Sequence, residues 1–210
     1  MTPLPNGAEF TFGKSPFRVK GVLYLGTQSF FAEHKITGGG DGMSALLEEM
    51  QEPELRAFIA QKFLAASLYD VTPIPALIIH EARVLRMSVD SYLLHRTRYQ
   101  AKKDLAGVNA WLLRLASPRL VAKHLPRIML QMFDFASVEI VRDEPNDVAA
   151  KMIGIPAILA PWLGVCINVY AETALTLAGV KASTSTPEIR VTGTRAGLEL
   201  IELTVPLRWK

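Results

Sequence analysis

Four histidines, one cysteine and two adjacent carboxylate pairs are the groups in this chain to weigh for acid–base, nucleophilic or metal chemistry. The histidines are His34, His80, His95 and His124, and no two have the i, i+4 spacing that lets a helix present a metal pair. His80 stands among Leu77, Ile78 and Ile79, where an imidazole could be an iron ligand, a base in an apolar pocket, or a core histidine bonded to a carbonyl. Its neighbour Glu81 points to a different helix face, and nothing nearby completes a triad or a metal set. His95 and His124 fall in basic helices and read as surface residues, and His34 reads as a helix-end cap. Cys166 lies mid-helix in an apolar run, far from the cationic or helix-N-terminal setting that makes a thiolate, so it reads as an inert buried thiol. There is no Gly-x-Ser-x-Gly elbow. Glu48-Glu49 and Asp143-Glu144 read as surface charges. No catalytic residue and no metal site is therefore assigned.

Binding chemistry is easier to place. Trp162 and Tyr170 stand eight apart on one helix, with Cys166 between them on roughly the same face, and Gly164 admits close approach beside them. These side chains, together with His80, are the candidates for contacts to an apolar ligand. The glycine run Gly38-Gly39-Gly40-Asp41-Gly42 lacks the lysine and preceding strand of a phosphate loop and reads as a plain loop.

Half of the 210 residues are hydrophobic and 20% are charged. That excess of apolar residues needs extra buried surface, in a dimer interface, a ligand cavity or a membrane contact. A single cysteine excludes an intramolecular disulfide and cysteine-rich zinc sites, and suits a reducing compartment. Residues 1–20 carry three prolines and no apolar core, so no signal peptide is read there and the cytoplasm is expected. The net charge of +3 is unevenly spread. Residues 83–127 hold ten Lys or Arg against Asp90 and Asp104, while acidic residues gather at 41–54 and 134–147. Without a nucleic-acid motif, the basic stretch reads as a solvated helix face.

The elements that must position these residues follow from periodicity. Residues 1–16 are expected to form a flexible N-terminus, and 17–210 a single α+β domain, helical over 17–134 and ββαββ over 135–210. Residues 17–25 begin with strict alternation and then turn apolar, a strand or the lead-in to a helix. Helices are expected at 43–51, at 55–67 behind Pro53, at 75–87, from Ser88 to Asp104, at 108–115, and from Pro118 to Phe133 with a kink or break at Pro126. Strands follow at 137–142 and 148–153 around a turn at 144–147. A long helix runs from Pro156 to Gly179, and a last hairpin joins 189–192 to 198–207 through a turn at 193–197, with a bulge allowed in its second strand. The expected architecture is an N-terminal helical bundle packed on a small four-stranded antiparallel sheet crossed by one long helix. Residues 152–171 are uncharged and long enough to span a bilayer. Gly154, Pro156, Pro161 and Asn168 interrupt that run between paired strands, so a core helix is expected instead.

Three features, namely Ser137-Val-Glu-Ile-Val, Pro161-Trp162-Leu163-Gly164 and Leu177-Ala178-Gly179 before the closing hairpin, resemble the vinyl-4-reductase-type small-molecule-binding domain. That domain is related to the Bet3-like subunits of the TRAPP tethering complex and to haem nitric-oxide-binding domains. Over residues 17–207 the chain also resembles a paralogous family of myxobacterial proteins. The resemblance implies a ligand-sensing or interaction module, often with an apolar pocket and often dimeric. The Tyr-x-Ser-x-Arg signature of the haem-binding relatives is absent, so neither His80 nor His95 is promoted to a haem ligand. The zinc cysteines of some relatives are absent, and the acylated cysteine of the TRAPP relatives is not carried over to Cys166. The expected function is thus a non-enzymatic, cytoplasmic regulatory or sensory domain that binds a small apolar ligand between the long helix and the sheet. The alternatives, in order, are a homodimeric protein-interaction module, an enzyme using His80, and a nucleic-acid binder using residues 83–127.

Overall fold

The computed structural model describes residues 5–34, 41–106 and 108–210. Of the glycine run, Gly38, Gly39 and Gly40 lie outside the described residues. The chain falls into two compact units, Met1–Leu93 with Ala196–Leu198, and Leu94–Arg195 with Glu199–Lys210.

The first unit holds strands β1 (Arg18–Lys20) and β2 (Leu68–Asp70) and helices α1 (Val22–Glu33), α2 (Gly42–Glu49), α3 (Pro53–Ala60) and α4 (Ile74–Val84). Residues 17–25 are both things the alternation allowed: a strand to Lys20, then a helix from Val22. At Gly21 a Cβ would stand 2.3 Å from the Leu64 carbonyl oxygen, so only glycine fits. The antiparallel pair is set by Arg18↔Asp70, Val19↔Tyr69 and Lys20↔Leu68. Asp41 caps α2, accepting the backbone N–H groups of Met43 and Ser44.

Helix α3 stops at Ala60, short of the expected Ser67. Two things end it. The Gln28 side-chain amide donates to the carbonyls of Ile59 and Gln61. Phe63 then turns into an aromatic core, stacked on Tyr24 with ring centres 4.7 Å apart and edge-on to Tyr69 at 4.8 Å.

The fully buried Asp70 carboxylate ties this unit together. It accepts the backbone N–H and hydroxyl of Ser15 and the backbone N–H and hydroxyl of Thr72. The Tyr24 hydroxyl donates to the Asp70 carbonyl, and burial, then the Asp70 charge, push the Tyr24 phenol well above its ordinary pKa.

The second unit holds most of α5 (Val89–Asp104), then α6 (Val108–Leu115), α7 (Pro118–Leu130), β3 (Ser137–Glu144), β4 (Asp147–Pro156), α8 (Ala160–Leu177), β5 (Ala182–Thr184), β6 (Glu188–Arg195) and nearly all of β7 (Leu198–Trp209). Ser88 and Ser117 cap α5 and α7 by accepting the N–H groups of Ser91 and Leu120. Pro126 sits inside α7 without ending it. The sheet is antiparallel in the order β3-β4-β7-β5, and β6 also pairs with β7.

Five strands thus replace the four expected. The last edge strand is interrupted at residues 185–187, where Pro187 has no N–H to donate to the ladder. The closing hairpin turns on two residues rather than five, Ala196 and Gly197, at φ 52° and 76°. A Cβ on Gly197 would fall 1.8 Å from the Gly7 carbonyl oxygen. The bulge allowed in β7 lies instead in its partner β4, between Ile153 and Ile155, where Gly154 takes φ 83°. Strand β4 also runs on to Pro156, so α8 begins at Ala160 after a short 3₁₀ turn, later than expected.

One face of the sheet is apolar and buried: Val148, Ala150, Met152 and Ile155 lie opposite Leu207, Val205, Leu203 and Ile201. The other face carries ion pairs, Asp147 between Arg142 and Arg208, and Lys151 between Glu139 and Glu202. Helix α7 packs on β3 and β4, and α8 packs on β5, α6 and α7. Asp143 fastens α7 to β3 by accepting from Arg119 and Lys123, each at 2.7 Å, which holds its carboxyl below the usual range.

Replacing Asp70 by Ala removes the acceptor for four buried donors. The expected loss of folding stability is about 3 kcal/mol, read by urea denaturation.

Candidate functional site

Helix α8 positions three of the four candidate residues. Its most buried side chains are Leu163, Ile167, Val169, Ala171, Ala174 and Leu175. The segment Ala157–Leu177 is long and apolar enough to cross a membrane by length and composition. Met152–Pro156, the start of the uncharged run, is instead strand.

Trp162, Cys166 and Tyr170 share one half-buried stripe, as their spacing requires. That stripe is occupied by protein along most of its length. Cys166 Sγ lies 3.8 Å from Thr97 Oγ1 on α5. The Tyr170 hydroxyl donates to Asp104 Oδ2 at 2.6 Å, at the C-terminal end of the same helix. Burial pushes the Cys166 thiol up to about 12, against the opposing pull of the Thr97 hydrogen bond and the Arg96 cation. Burial, reinforced by the Asp104 carboxylate, likewise raises the Tyr170 phenol. Both groups are protonated at neutral pH, so neither is a nucleophile or a hard metal ligand there.

Trp162 is different. Its indole meets Phe133 edge-on at 6.1 Å, and Phe133 in turn meets Phe135 at 5.3 Å. All three rings are only half buried. This cluster brings the start of α8 to the segment that leaves α7 and enters β3. Phe133 and Phe135 were missed by sequence reasoning. Phe133 falls at the end of an expected helix and Phe135 between expected elements, and nothing in the sequence pairs either ring with Trp162.

His80 belongs to the first unit. It is 5% exposed. Nε2 stands 3.2 Å from Glu52 Oε2, and Nδ1 stands 4.0 Å from Glu49 Oε1, which Arg83 also approaches at 3.7 Å. Glu49, read from sequence as a surface charge, is thus part of this cluster. His34 Nδ1 lies 2.8 Å from the Phe30 carbonyl oxygen, and its ring stacks on Phe30. His95 and His124 are exposed. Among the described residues no three His, Cys, Asp or Glu converge as a metal set. A cleft of about 250 Å³ on the charged face of the sheet is lined by Val141, Arg142, Ala149, Glu188, Thr204, Pro206 and Arg208. It is smaller and more highly charged than a typical small-molecule site.

No protein-family profile matches this sequence, and no curated protein matches it. Solved structures do match in fold. The iron(II) unliganded H-NOX protein from K. algicida is 9% identical, with a TM-score of 0.55 over 91% of this chain and 96% of its own. An oxygen-binding H-NOX domain related to soluble guanylate cyclases is 10% identical, with a TM-score of 0.55 over 91% of this chain and 95% of its own. A variant of the Cs H-NOX protein is 10% identical, with a TM-score of 0.57 over 91% of this chain and 96% of its own. The chain therefore has the fold of the H-NOX domains, a mixed helix and antiparallel-sheet architecture.

That fold family implies a haem, and the donors present here do not fit one. His80 Nε2 lies 3.2 Å from the Glu52 carboxylate, and its Nδ1 is buried 4.0 Å from Glu49. The Cys166 thiol packs 3.8 Å from the Thr97 hydroxyl on α5. The Tyr170 hydroxyl is committed to Asp104, and the His34 ring to Phe30.

The raised Cys166 pKa predicts a silent thiol. A disulfide reagent at mildly alkaline pH should label the folded protein at least about a hundredfold more slowly than the unfolded chain, read by absorbance. The sign for stability is also fixed. Because the folded pKa lies above the unfolded one, the contribution of Cys166 is complete below the unfolded value. It is lost as pH rises through the folded value of about 12.

Proposed function

We propose that this chain is a non-enzymatic, cytoplasmic sensory or regulatory domain, in which an H-NOX-type scaffold binds a small apolar ligand without an iron held by its own histidines. The observation that carries this reading is the half-buried aromatic group Trp162, Phe133 and Phe135 at the start of α8, on a fold whose solved representatives include an oxygen complex. The ligand would lie on these rings, with the Cys166 and Tyr170 stripe continuing below them as the wall of the site. His80, paired with Glu52, would keep the first unit's polar cluster in register rather than touch the ligand. The kinship to the vinyl-4-reductase-type and Bet3-like domains and to the myxobacterial family belongs to the same proposal.

A homodimer is the second reading. The observation favouring it is β6, an edge strand exposed along all eight residues, with Ile189 at 58% and Val191 at 56%. An open apolar edge of that kind pairs readily with a second copy.

Native mass spectrometry of the purified protein, compared with the denatured chain, tests both. The first reading predicts an apolar small molecule released on denaturation, and at least about tenfold weaker retention in Trp162→Ala. A ligand retained equally by Trp162→Ala would contradict the proposed site. A ligand-free dimer would favour the second reading.

A further inference from the structure

Helices α6 and α7 both rest on α8 and turn large apolar side chains outward. On α6, Trp111 is 60% exposed, Leu112 53% and Leu115 69%; on α7, Leu120 and Ile128 are also exposed. Trp111 and Leu115 stand one turn apart, and Leu120 and Ile128 two turns apart, so each pair lies along one side of its helix. Ordinary surface helices do not leave an indole and two leucines in water on neighbouring positions. The charge around them has one sign. Across α6 and α7 the chain carries Arg114, Arg119, Lys123 and Arg127 and no Asp or Glu. Arg119 and Lys123 are tied to Asp143, while Arg114 and Arg127 are exposed.

We infer that the outer face of α6 and α7 docks on an anionic bilayer surface, with Trp111, Leu112 and Leu115 entering the headgroup boundary and Arg114 and Arg127 meeting acidic lipid. The combination of an aromatic and leucine stripe with flanking cations is what an interfacial helix needs. A second copy of the chain is the poorer occupant. A two-fold contact sets the same patch against itself, so the unbalanced cations would face one another. Nucleic acid is also poorer, because phosphates give the leucines nothing to bury against.

The test is flotation of the full chain with vesicles of phosphatidylcholine containing one-third phosphatidylglycerol, beside vesicles of phosphatidylcholine alone. Expected is binding to the anionic vesicles that falls with salt. Binding should drop at least about tenfold on neutral vesicles, in the combined variant Trp111→Ser, Leu112→Ser and Leu115→Ser, and in Arg114→Glu with Arg127→Glu. The altered residues are exposed, and circular dichroism and the thermal midpoint verify that each variant folds. No binding to anionic vesicles at low salt overturns the inference, as does binding that the triple variant leaves unchanged. A dimer that the triple variant dissolves, with no vesicle binding, assigns the face to a second copy. Displacement by soluble polyglutamate at matched charge, with equal affinity in the triple variant, assigns the cations to an acidic protein.

Discussion

An eighteen-residue helix with a single charge, Glu172, has to be kept from water, and the second unit is arranged around that need. Its deepest side chains pack among α6, α7 and β5, and its Trp162 to Tyr170 stripe is met by Thr97 and Asp104 of α5. The sheet supplies one wholly apolar face and puts its charges on the other, in the Asp147 and Lys151 ion pairs. Covering α8 accounts for part of the apolar content of the second unit. It also explains why the residues most capable of chemistry are spent on packing. A thiol held protonated and a phenol bonded to a carboxylate are stable cover for a helix, and poor reagents.

The same economy bears on function. A fold that in its solved representatives is named for haem and nitric oxide here has one imidazole beside carboxylates, one stacked on phenylalanine and two on the surface. What is left over on α8 is aromatic and half open, at Trp162. Apolar ligands are recognised by such surfaces through contact area and ring geometry rather than by a coordinate bond.

Much of the architecture was legible because periodicity and caps are local. Ser88 and Pro118 marked helix starts, alternation marked β3, β4 and β7, and the i, i+4 spacing of Trp162, Cys166 and Tyr170 placed them on one stripe. What was not legible was tertiary. Nothing in residues 55–67 announces that Gln28 will end α3 or that Phe63 must turn inward. Ala196 adopting positive φ runs against its residue type. Sequence order likewise could not show that Glu49 and Glu52 would flank His80, or that Phe133 and Phe135 would meet Trp162, since each pairing joins separate elements. The α8 stripe was foreseen as the wall of a pocket, and the partner that fills much of it, α5, has no signal in the helix itself.

Titrating the purified protein with haemin while following the Soret band tests the central claim most directly. If this H-NOX-type scaffold works without its own iron ligand, the spectra will be the sum of free haemin and protein, with no saturable shift. A saturable one-to-one Soret shift, lost in His80→Ala or in His95→Ala, would contradict the account and return the chain to the haem sensors.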